Sequence, residues 1–520
     1  MMIHRSHWPD VAIPETAYSD FVFANTDTWT DRPAFIDGPS GRIWTHGQVR
    51  AAACCVAAAL VRRGLRKGDV FMILSPNAPE YAVAFHGVAL AGGVITTANP
   101  LYTLEQLAQQ LHDAGARFLL TTPALLERAR QAAVQSWVEE VFVFGDAEGA
   151  TPFDVLLKDA AETDFPAIDP RLDLLMLPYS SGTAGRAKGV MLTHRNAVAM
   201  HAQLAPLAPD VHGHRSLAVL PFFHCYGLSM MNGVLRRGTT SVTMPRFELE
   251  PFLTLIERHR ITTLNIVPPI AVALAKHPAV AGHDLSSLRF VGCGAAPLGA
   301  SLQEAAGQRI GVKIRQGYGL TEVTVAVTGQ PINAPLIKPG GVGRLLPNVE
   351  ARILDPVSGS DLEANRPGEL LLRGPNVMQG YLNQPEATAA TLDGDGWLHT
   401  GDVGMFDDDG ELFIVDRLKE LIKVKGYQVA PAQLEAMLLQ HPAVADAAVI
   451  GIPDDDAGEL PKAFVVLREP GTSAETIIAD TARRLAPHER IRLIEFIDSI
   501  PKSPAGKILR RVLRERDPGR

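Results

Sequence analysis

The sequence predicts an α/β fold divided into more than one domain. The chain has 520 residues, which exceeds what one hydrophobic core usually supports. Short, continuously apolar runs of strand length alternate with helical stretches over the first two-thirds of the chain, a pattern typical of parallel sheets covered on both faces. These runs lie at 70–74, 118–122, 174–178, 216–220 and 288–291.

The pattern of predicted strands, helices and turns changes twice in the last third of the sequence. From about residue 340, short alternating strands are separated by Gly, Pro and Asp turns, which indicates a small antiparallel sheet or barrel. After Asp416 a helix start at Pro431 introduces a compact mixture of strands and helices. We therefore expect an N-terminal domain at 1–416, with α/β sheet subdomains to about 335 and a β-barrel at about 336–416, followed by a small α+β domain at 417–520.

Charge and targeting signals narrow the classes of function. The formal net charge of -8 argues against a nucleic-acid partner, which usually meets a basic surface. We see no secretory signal at the N-terminus, and the most apolar run, 81–98, contains His86 and two glycines, so we expect a helix and a strand there rather than a membrane span. The four cysteines form no CxxC pair, which fits buried thiols in a reducing cytoplasm.

The segment 179–190, YSSGTAGRAKGV, carries the clearest chemical signal. Its glycines let backbone N–H groups approach an anion closely, and its hydroxyls and Lys188 add further donors to phosphate oxygens. The segment differs from a Walker A loop because Lys188 is followed by Gly189 and a strand instead of Ser or Thr and a helix. It predicts a phosphate-binding loop of another kind.

This loop resembles that of the adenylate-forming acyl- and aryl-CoA synthetases, the superfamily that includes firefly luciferase. Six further motifs follow in that family's order: LPFFHCYGL at 220–228, GCGAAPL at 292–298, QGYGLTE at 316–322, WLHTGD at 397–402, VDRLKELIKVKGYQVAP at 415–431 and PKSPAGKILRR at 501–511. The resemblance covers nearly the whole chain. TANPLYT at 97–103 and AVALAKHP at 271–278 are most similar to 4-coumarate–CoA ligase-like enzymes.

The resemblance implies ATP, Mg²⁺ and coenzyme A as reactants or cofactors. It assigns the β- and γ-phosphates to Ser180, Ser181, Gly182, Thr183, Gly185 and Lys188. It assigns the adenosine to Gly294, Ala295, Ala296, Pro297, Gln316, Gly317, Tyr318 and Gly319, with the Tyr318 ring stacked on adenine. Thr321 then lies at the α-phosphate and Glu322 binds Mg²⁺. Asp402 accepts from the ribose hydroxyls, and Arg417 reaches the ribose from the domain junction.

The remaining assignments concern the acid, the thiol and the moving domain. Lys507 resembles the family's adenylation lysine, which stabilises negative charge between the carboxylate and the α-phosphate. Lys419 matches the hinge, and the face with catalytic Lys423 and Gln428 and CoA-binding Lys425 and Gly426 is expected to cover the site for thiol attack. The resemblance assigns the acyl pocket to His224, Tyr226, Gly292, Gly294, Val325 and Ala326. It also assigns a catalytic role to His224.

Departures from the family pattern leave alternatives open. Ala184 and Ala187 replace a common threonine and proline of the phosphate loop, and 323–325 departs from the plant ligases. We therefore expect an ATP-dependent carboxylate–CoA ligase for an aromatic, 4-coumarate-like or medium-chain acid. A fatty-acyl-CoA synthetase, an enzyme that loads a carrier protein, a luciferase-type oxidase and a nucleotide-binding module without turnover remain alternatives. The oligomeric state stays open.

Overall fold

The computed structural model describes residues 2–158, 164–180, 187–208, 213–334, 336–425, 427–454, 456–503 and 506–516. A first sheet, called sheet A here, is parallel except at one edge, where the strand after the phosphate loop runs antiparallel to its neighbours. The strand order is Gly380–Tyr381, Lys188–Thr193, Leu174–Ser180, Val94–Thr97, Val70–Ile73, Ala116–Thr121, Glu140–Val143 and Thr151–Pro152.

The helices of this region are Tyr18–Phe23, His46–Arg62, Glu80–Leu90, Leu104–Ala114, Leu126–Ala133 and His194–Leu204. A threonine side chain caps the first turn of His46–Arg62, Leu104–Ala114 and His194–Leu204. In the first of these, Thr45 and Gln48 form a capping box, which sets the start of the helix at His46. Gly64, with φ +85°, follows its end as the sequence indicates. The run at 81–98 contains the helix Glu80–Leu90 and the strand Val94–Thr97.

A second sheet, sheet B, holds the strands whose following loops carry the motifs. Its order is Ile314–Gln316, Phe290–Cys293, Thr263–Ile266, Arg215–Ala218, Thr240–Thr243, Pro33–Asp37 and Ile43–Thr45. All its neighbours are parallel except the last pair. The helices Cys225–Arg237, Leu249–His259, Pro268–Lys276 and Ala300–Ile310 connect these strands. Because the strands are parallel, loops 219–224, 294–299 and 317–322 leave the same edge of the sheet.

An antiparallel sheet and a C-terminal unit complete the chain. The antiparallel sheet has the order His4–Arg5, Glu350–Leu354, Gly368–Arg373, Leu398–Phe406 and Leu412–Arg417. The C-terminal sheet has the order Tyr427–Val429, Ile422–Val424, Gly458–Leu467 and Val444–Asp454, with Leu493–Phe496 paired to Gly458–Leu467. The helices Pro431–Leu438, Ala474–Ala482 and Arg510–Arg516 pack around it.

The predicted fold class is confirmed, while some details differ from expectation. The edge strand His4–Arg5 was not foreseen, because two residues carry no periodic signal. A short pair, Thr328–Gly329 with Arg344–Leu345, and a helix, Pro385–Ala389, were also missed. No helix in the described part of the chain is long and apolar enough to cross a bilayer.

A buried ion pair fixes the segment that follows Lys507. Arg510 donates to both oxygens of Glu435, at 2.7 and 2.8 Å, and to the carbonyl of Val449 at 3.1 Å. Both charged side chains are about one-tenth exposed (11% and 10%). The pair therefore anchors the start of the last helix to the helix Pro431–Leu438.

We expect Glu435→Gln to destabilise the C-terminal unit by about 3–5 kcal/mol, because Arg510 keeps a buried charge without its counterion. Urea unfolding followed by C-terminal fluorescence labelling measures the change. Glu515→Gln is the matched control, since its partner Arg511 and Glu515 itself are 69% and 62% exposed, and it should shift stability by less than about 0.5 kcal/mol. Equal stability of the two variants would contradict the anchoring role.

Candidate active site

A cavity of about 1820 Å³ opens where the loops of sheet B meet the antiparallel sheet and the C-terminal unit. Many residues assigned from the sequence line it, and they come from distant parts of the chain. They are Ser180, Lys188, His224, Tyr226, Gly292, Gly294, Ala295, Gln316, Gly317, Tyr318, Gly319, Thr321, Glu322, Val325, Ala326, Arg417, Lys419 and Lys507. The fold thus gathers the phosphate, adenosine, acyl and adenylation assignments around one space.

The remaining assigned residues either do not line the cavity or are not among the residues that the structure describes. Ala296, Pro297 and Asp402 do not line the cavity directly, although Asp402 contacts two residues that do. Ser181, Gly182, Thr183, Ala184 and Gly185 of the phosphate loop, and Gly426, lie outside the described residues. Lys423, Lys425 and Gln428 are exposed and do not line the cavity.

Asp402 occupies the junction between the antiparallel sheet and the adenosine loop. It lies opposite Arg417 on the neighbouring strand, and Arg417 Nε is 2.8 Å from its Oδ1. Tyr318 donates its hydroxyl to Asp402 Oδ2 at 2.5 Å. Burial raises the pKa of Asp402, whereas Arg417 and the Tyr318 hydroxyl act in the opposite direction. An ionised carboxylate has about four acceptor positions, so this one can still receive a pair of hydroxyls.

Tyr318 is fixed both at its backbone and at its phenol. Its backbone N–H donates to Thr328 Oγ1 at 3.1 Å, and that hydroxyl donates to the Val342 carbonyl at 2.6 Å. Its phenol is held by Asp402, and burial raises its pKa well above the ordinary value. A ring whose orientation is set before binding presents a flat stacking surface with little further loss of side-chain entropy.

Tyr381 links the lysine and the acid of the phosphate region. Its hydroxyl donates to Glu322 Oε1 at 2.9 Å, while Lys188 Nζ lies 4.5 Å from the centroid of its ring. Tyr381 also pairs with Val190 on the strand that begins at Lys188. Tyr381 was not predicted as a site residue, because a single tyrosine between short loops carries no motif. The Tyr381 ring therefore contacts the cation of Lys188, and its hydroxyl contacts the carboxylate of Glu322.

Gln316 has a structural side chain. Its amide donates to the Leu298 carbonyl at 3.1 Å and to Gln303 Oε1 at 2.9 Å, and its backbone N–H donates to Gln330 at 3.0 Å. The side chain therefore ties the loop after Phe290–Cys293 to the helix Ala300–Ile310. Any contact of Gln316 with adenosine is left to its carbonyl and to its neighbour Gly317.

His224 and Tyr226 form one wall of the acyl side. His224 Nδ1 accepts the Tyr226 backbone N–H at 3.3 Å as the cap of the helix Cys225–Arg237. The neutral ring therefore carries its proton on Nε2. Tyr226 donates its hydroxyl to Asn265 Oδ1 at 3.2 Å, a contact that sequence patterns could not reveal. A Cβ added at Gly292 would lie 3.0 Å from the same oxygen, so only glycine leaves this wall undisturbed.

The opposite wall is held in an unusual backbone conformation. Thr324 and Val325 have φ values of 62° and 149°, which are rare for residues other than glycine, above all for β-branched ones. Asn376 stabilises them: its backbone carbonyl accepts from Thr324 Oγ1 at 2.6 Å, and its side-chain amide donates to the Val323 carbonyl at 2.9 Å. A Cβ at Gly319 would lie only 1.8 Å from the Val325 carbonyl oxygen. This packing sets the positions of Val325 and Ala326.

Lys507 enters the cavity from the C-terminal unit. Its backbone N–H donates to Ser503 Oγ at 3.2 Å, and a Cβ on the neighbouring Gly506 would lie 3.0 Å from Pro269 of the N-terminal part. Burial, with a smaller contribution from Arg417, lowers the pKa of Lys507 to about 8 against the opposing effect of Asp402. The amine thus lies within electrostatic reach of the Asp402–Arg417 pair.

The hairpin with Lys423 and Gln428 lies on another face of the same unit. Lys423 and Gln428 are directly paired across its two strands. The Lys423 backbone N–H donates to Glu459 at 2.7 Å, and the side chains of Lys423, Lys425 and Gln428 are exposed. Lys419 is exposed in the turn between Leu412–Arg417 and Ile422–Val424. The structure therefore brings Lys507 to the cavity and leaves the other face outside it.

Comparisons with known proteins agree with this arrangement. Residues 22–382 match the family model described as AMP-binding enzyme, and residues 433–507 match the AMP-binding enzyme C-terminal domain. The 4-coumarate–CoA ligase 2 of Solanum tuberosum is 42% identical over 530 residues, covering 99% of this chain and 96% of that protein.

Two solved structures have the same fold. Anthranilate CoA ligase AuaEII in complex with anthranoyl-AMP superimposes with a TM-score of 0.89 at 28% identity, covering 96% of this chain and 97% of that one. ATP-bound MatB from Rhodopseudomonas palustris gives a TM-score of 0.86 at 28% identity, covering 96% and 99%. With both family models matched in order and a full-length relative above 40% identity, the chain belongs to the AMP-binding enzyme family.

Proposed function

We propose that the protein is an ATP-dependent carboxylate–CoA ligase for aromatic acids, which forms acyl-AMP and pyrophosphate and then acyl-CoA and AMP. The observation that carries this proposal is the burial of the Lys507 amine in a cavity that Arg417, Tyr226 and Val325 also line, within electrostatic reach of Asp402. The names of the relatives support the acid and thiol: 4-coumarate–CoA ligases and an anthranilate CoA ligase with its acyl-adenylate. Aromatic acids are therefore preferred over a fatty acid.

In the first half-reaction the protein brings two anions together. Asp402 accepts the ribose hydroxyls, and the fixed Tyr318 ring receives the adenine, which places the α-phosphate toward Thr321. Lys188 attracts the outer phosphates from its position over Tyr381. Lys507 then offsets the negative charge that builds up as the carboxylate attacks the α-phosphorus and pyrophosphate leaves. The walls at Tyr226 and Val325 orient the acid for that attack.

The residues near Glu322 fit a Mg²⁺–nucleotide site. No group of three or more His, Cys, Asp or Glu side chains that could hold a metal occurs among the described residues. Mg²⁺ at nucleotide sites takes one or two carboxylates and completes its shell with phosphate oxygens and water, and Glu322, oriented by Tyr381, provides such a carboxylate. When bound, the ion would neutralise phosphate charge; Glu322 would hold it, and Thr321 would lie at the α-phosphate.

The second half-reaction requires the exposed face of the C-terminal unit. We place the domain boundary at 416/417 and the hinge at Lys419. Rotation there would withdraw Lys507 and bring Lys423, Lys425, Gly426 and Gln428 over the acyl-adenylate for thiol attack. Asp416 spans this hinge, since its carboxylate accepts the backbone N–H groups of Arg417 at 2.7 Å and Ala432 at 2.8 Å. A carrier-protein thiol is the alternative acceptor to free CoA.

The reaction itself is tested by AMP release. Purified protein with ATP, Mg²⁺, CoA and a panel of cinnamic, benzoic and fatty acids should release AMP with at least one aromatic acid. Replacing CoA by a phosphopantetheinylated carrier protein distinguishes the two acceptors. Absence of AMP release with every acid and both acceptors would overturn the proposal.

Lys507→Ala should lower the rate of adenylation by about 10²–10³-fold, because one preorganised charged donor is lost. ATP–pyrophosphate exchange measures that half-reaction. Transfer from preformed acyl-AMP to CoA should be retained, since Lys507 has left the site in the thiol-binding arrangement. Equal loss of both half-reactions would contradict the rotation.

Lys423→Ala should give the reverse pattern. It removes a charge from the face that receives the thiol, so we expect slower conversion of preformed acyl-AMP to acyl-CoA and an unchanged rate of pyrophosphate exchange. Single-turnover assays with isolated acyl-AMP measure the first step. Arg483→Ala is a control for surface charge, because Arg483 is 79% exposed on the same unit and outside the hairpin. An exchange defect in Lys423→Ala would argue against its assignment.

The lowered pKa of Lys507 predicts the alkaline limit of adenylation. The amine is charged below about pH 8 and loses its proton as the pH rises through that value, well before an ordinary lysine does. The profile of kcat/KM for pyrophosphate exchange, which reports groups of the free enzyme, should therefore fall above about pH 8. In Lys507→Arg the guanidinium stays charged, so the remaining activity should lack this fall. A fall at the same pH in both proteins would assign it to another group.

A further inference from the structure

The helix Cys225–Arg237 lines the cavity along its whole length, from the acyl wall to a distant end. Tyr226, Met230, Gly233 and Arg237 recur at helical spacing and all face the cavity, with Arg236 beside them. The helix rise of about 1.5 Å per residue puts Arg237 roughly 16 Å beyond Tyr226 along the axis. The cavity thus extends well past the space that a single aromatic ring near Tyr226 fills.

Gly233 keeps this passage open. A Cβ added there would have a single neighbour within 4 Å, His201 Cε1 at 3.7 Å. His201 also lines the cavity, so the passage runs between Gly233 and His201. A glycine inside a helix lowers its stability by about 1 kcal/mol relative to alanine, and no tight packing at this position demands one. The missing side chain instead leaves space for a ligand.

The distant end of the cavity is cationic. Arg237 is held in place by the carbonyl of Ala208, at 2.6 Å, and Arg236 lies 4.3 Å above the Phe21 ring. Burial lowers the pKa of both arginines, and no described acid acts against it. Arg236 Nη1 is buried without a hydrogen-bond partner in the described structure. In the part of the chain that the structure describes, these two guanidinium groups are partly removed from water and have no counterion, which favours an anion beside them.

His201 does not supply that anion or compete for it. Burial lowers its pKa to about 3, with Arg237 and Arg236 adding to the effect, so the ring is neutral at physiological pH. Its Nε2 is 2.8 Å from the Tyr18 hydroxyl. The nucleotide phosphates are unsuitable partners, because Cys225, at the other end of the helix, contacts Thr321 at 3.7 Å, next to the group of Glu322, Tyr381 and Lys188. The anions that remain are those of the acid and of CoA, and the continuous lining from Tyr226 to Arg237 favours the acid.

We infer that the acyl cavity ends in an anion subsite formed by Arg236 and Arg237, which selects acids with a second carboxylate at the end opposite the activated one. This inference rests on the proposed ligase function and specifies its substrate class: elongated dicarboxylic acids, aromatic or aliphatic. One carboxylate is adenylated near Lys507, and the other is paired with guanidinium N–H groups at the end of the helix. The passage beside Gly233 holds the chain between them.

A matched pair of substrates isolates the second charge. Sebacic acid and its monomethyl ester have nearly the same length, but only the acid carries the distal charge, and cinnamic acid is a short reference. In the wild-type protein, kcat/KM for AMP release should be about tenfold or more higher with sebacic acid than with the ester, as expected for hydrogen bonds to a charged group. A ratio near one would overturn the inference.

Variants assign that ratio to named residues. Arg236→Gln and Arg237→Gln should each lower the ratio severalfold, and the double variant should bring it close to one. Turnover of cinnamate reports whether each variant is folded. Arg258→Gln, an exposed arginine outside the cavity, is the charge-matched control and should leave the ratio unchanged. A raised KM for CoA with an unchanged ratio would overturn the inference and assign the arginines to the thiol substrate.

Gly233→Leu tests the passage independently of charge. The added side chain should reduce kcat/KM for sebacic acid and for its ester by a similar factor, about tenfold or more, relative to cinnamate. Full activity of this variant on both long substrates would show that they do not pass Gly233. Failure of the ligase proposal would be recognised separately, because the wild-type protein would then release no AMP with cinnamate or with any other acid.

Discussion

The buried carboxylate of Asp402 is the interaction on which the arrangement of the site depends. It joins the Tyr318 ring of the adenosine loop to Arg417 at the end of the last strand before the C-terminal unit. These residues are separated by up to 99 positions in sequence, and each alone would be a common surface feature. Because a buried charge is costly without partners, Asp402 requires both the phenol and the guanidinium to stay in place. The nucleotide site and the domain junction are therefore built from the same contacts.

The backbone at Thr324 and Val325, on the wall that we expect to face the acid substrate, is also held tightly by its neighbours. Thr324 and Val325 keep strained φ values only because Asn376 and the close approach of Gly319 leave no alternative packing. Strain of this kind concentrates where a precise surface matters more than stability. On the other wall, His224, which lines the cavity, uses Nδ1 to cap a helix, and that contact fixes the position of its ring. The folded protein therefore fixes the orientation of these side chains before substrates bind, which reduces the entropy lost on binding.

The sequence predicted the fold class, because apolar strands and turn residues leave local signals. Most of the residues that the family resemblance assigned to the site line one cavity, Glu322 and Lys507 among them, because each lies inside a motif that can be recognised within a few positions. Tyr381, Asn265 and Asn376 were missed, since they act through contacts across more than fifty positions or as single residues outside any motif. The start of the helix His46–Arg62 and the edge strand His4–Arg5 depended on a cap and on a distant partner. The cationic end of the cavity had no signal either, because two adjacent arginines at a helix end are common in any exposed helix.

Electrostatics gives a physical reason for the proposed exit of Lys507 from the cavity after the first half-reaction. Lys507 shares the cavity with Arg417, and burial together with that positive neighbour lowers its pKa to about 8. Without an anion between them, the closed arrangement therefore holds a desolvated amine against a like charge, which weakens it. A nucleotide reverses the balance, because its phosphates attract both cations and favour the charged amine. Once pyrophosphate has left, only the single charge of the adenylate remains, and the attraction that holds Lys507 in the cavity declines. The chemistry of the first step thus removes the counterions of the closed state, and the second face of the C-terminal unit can replace the first without any external signal.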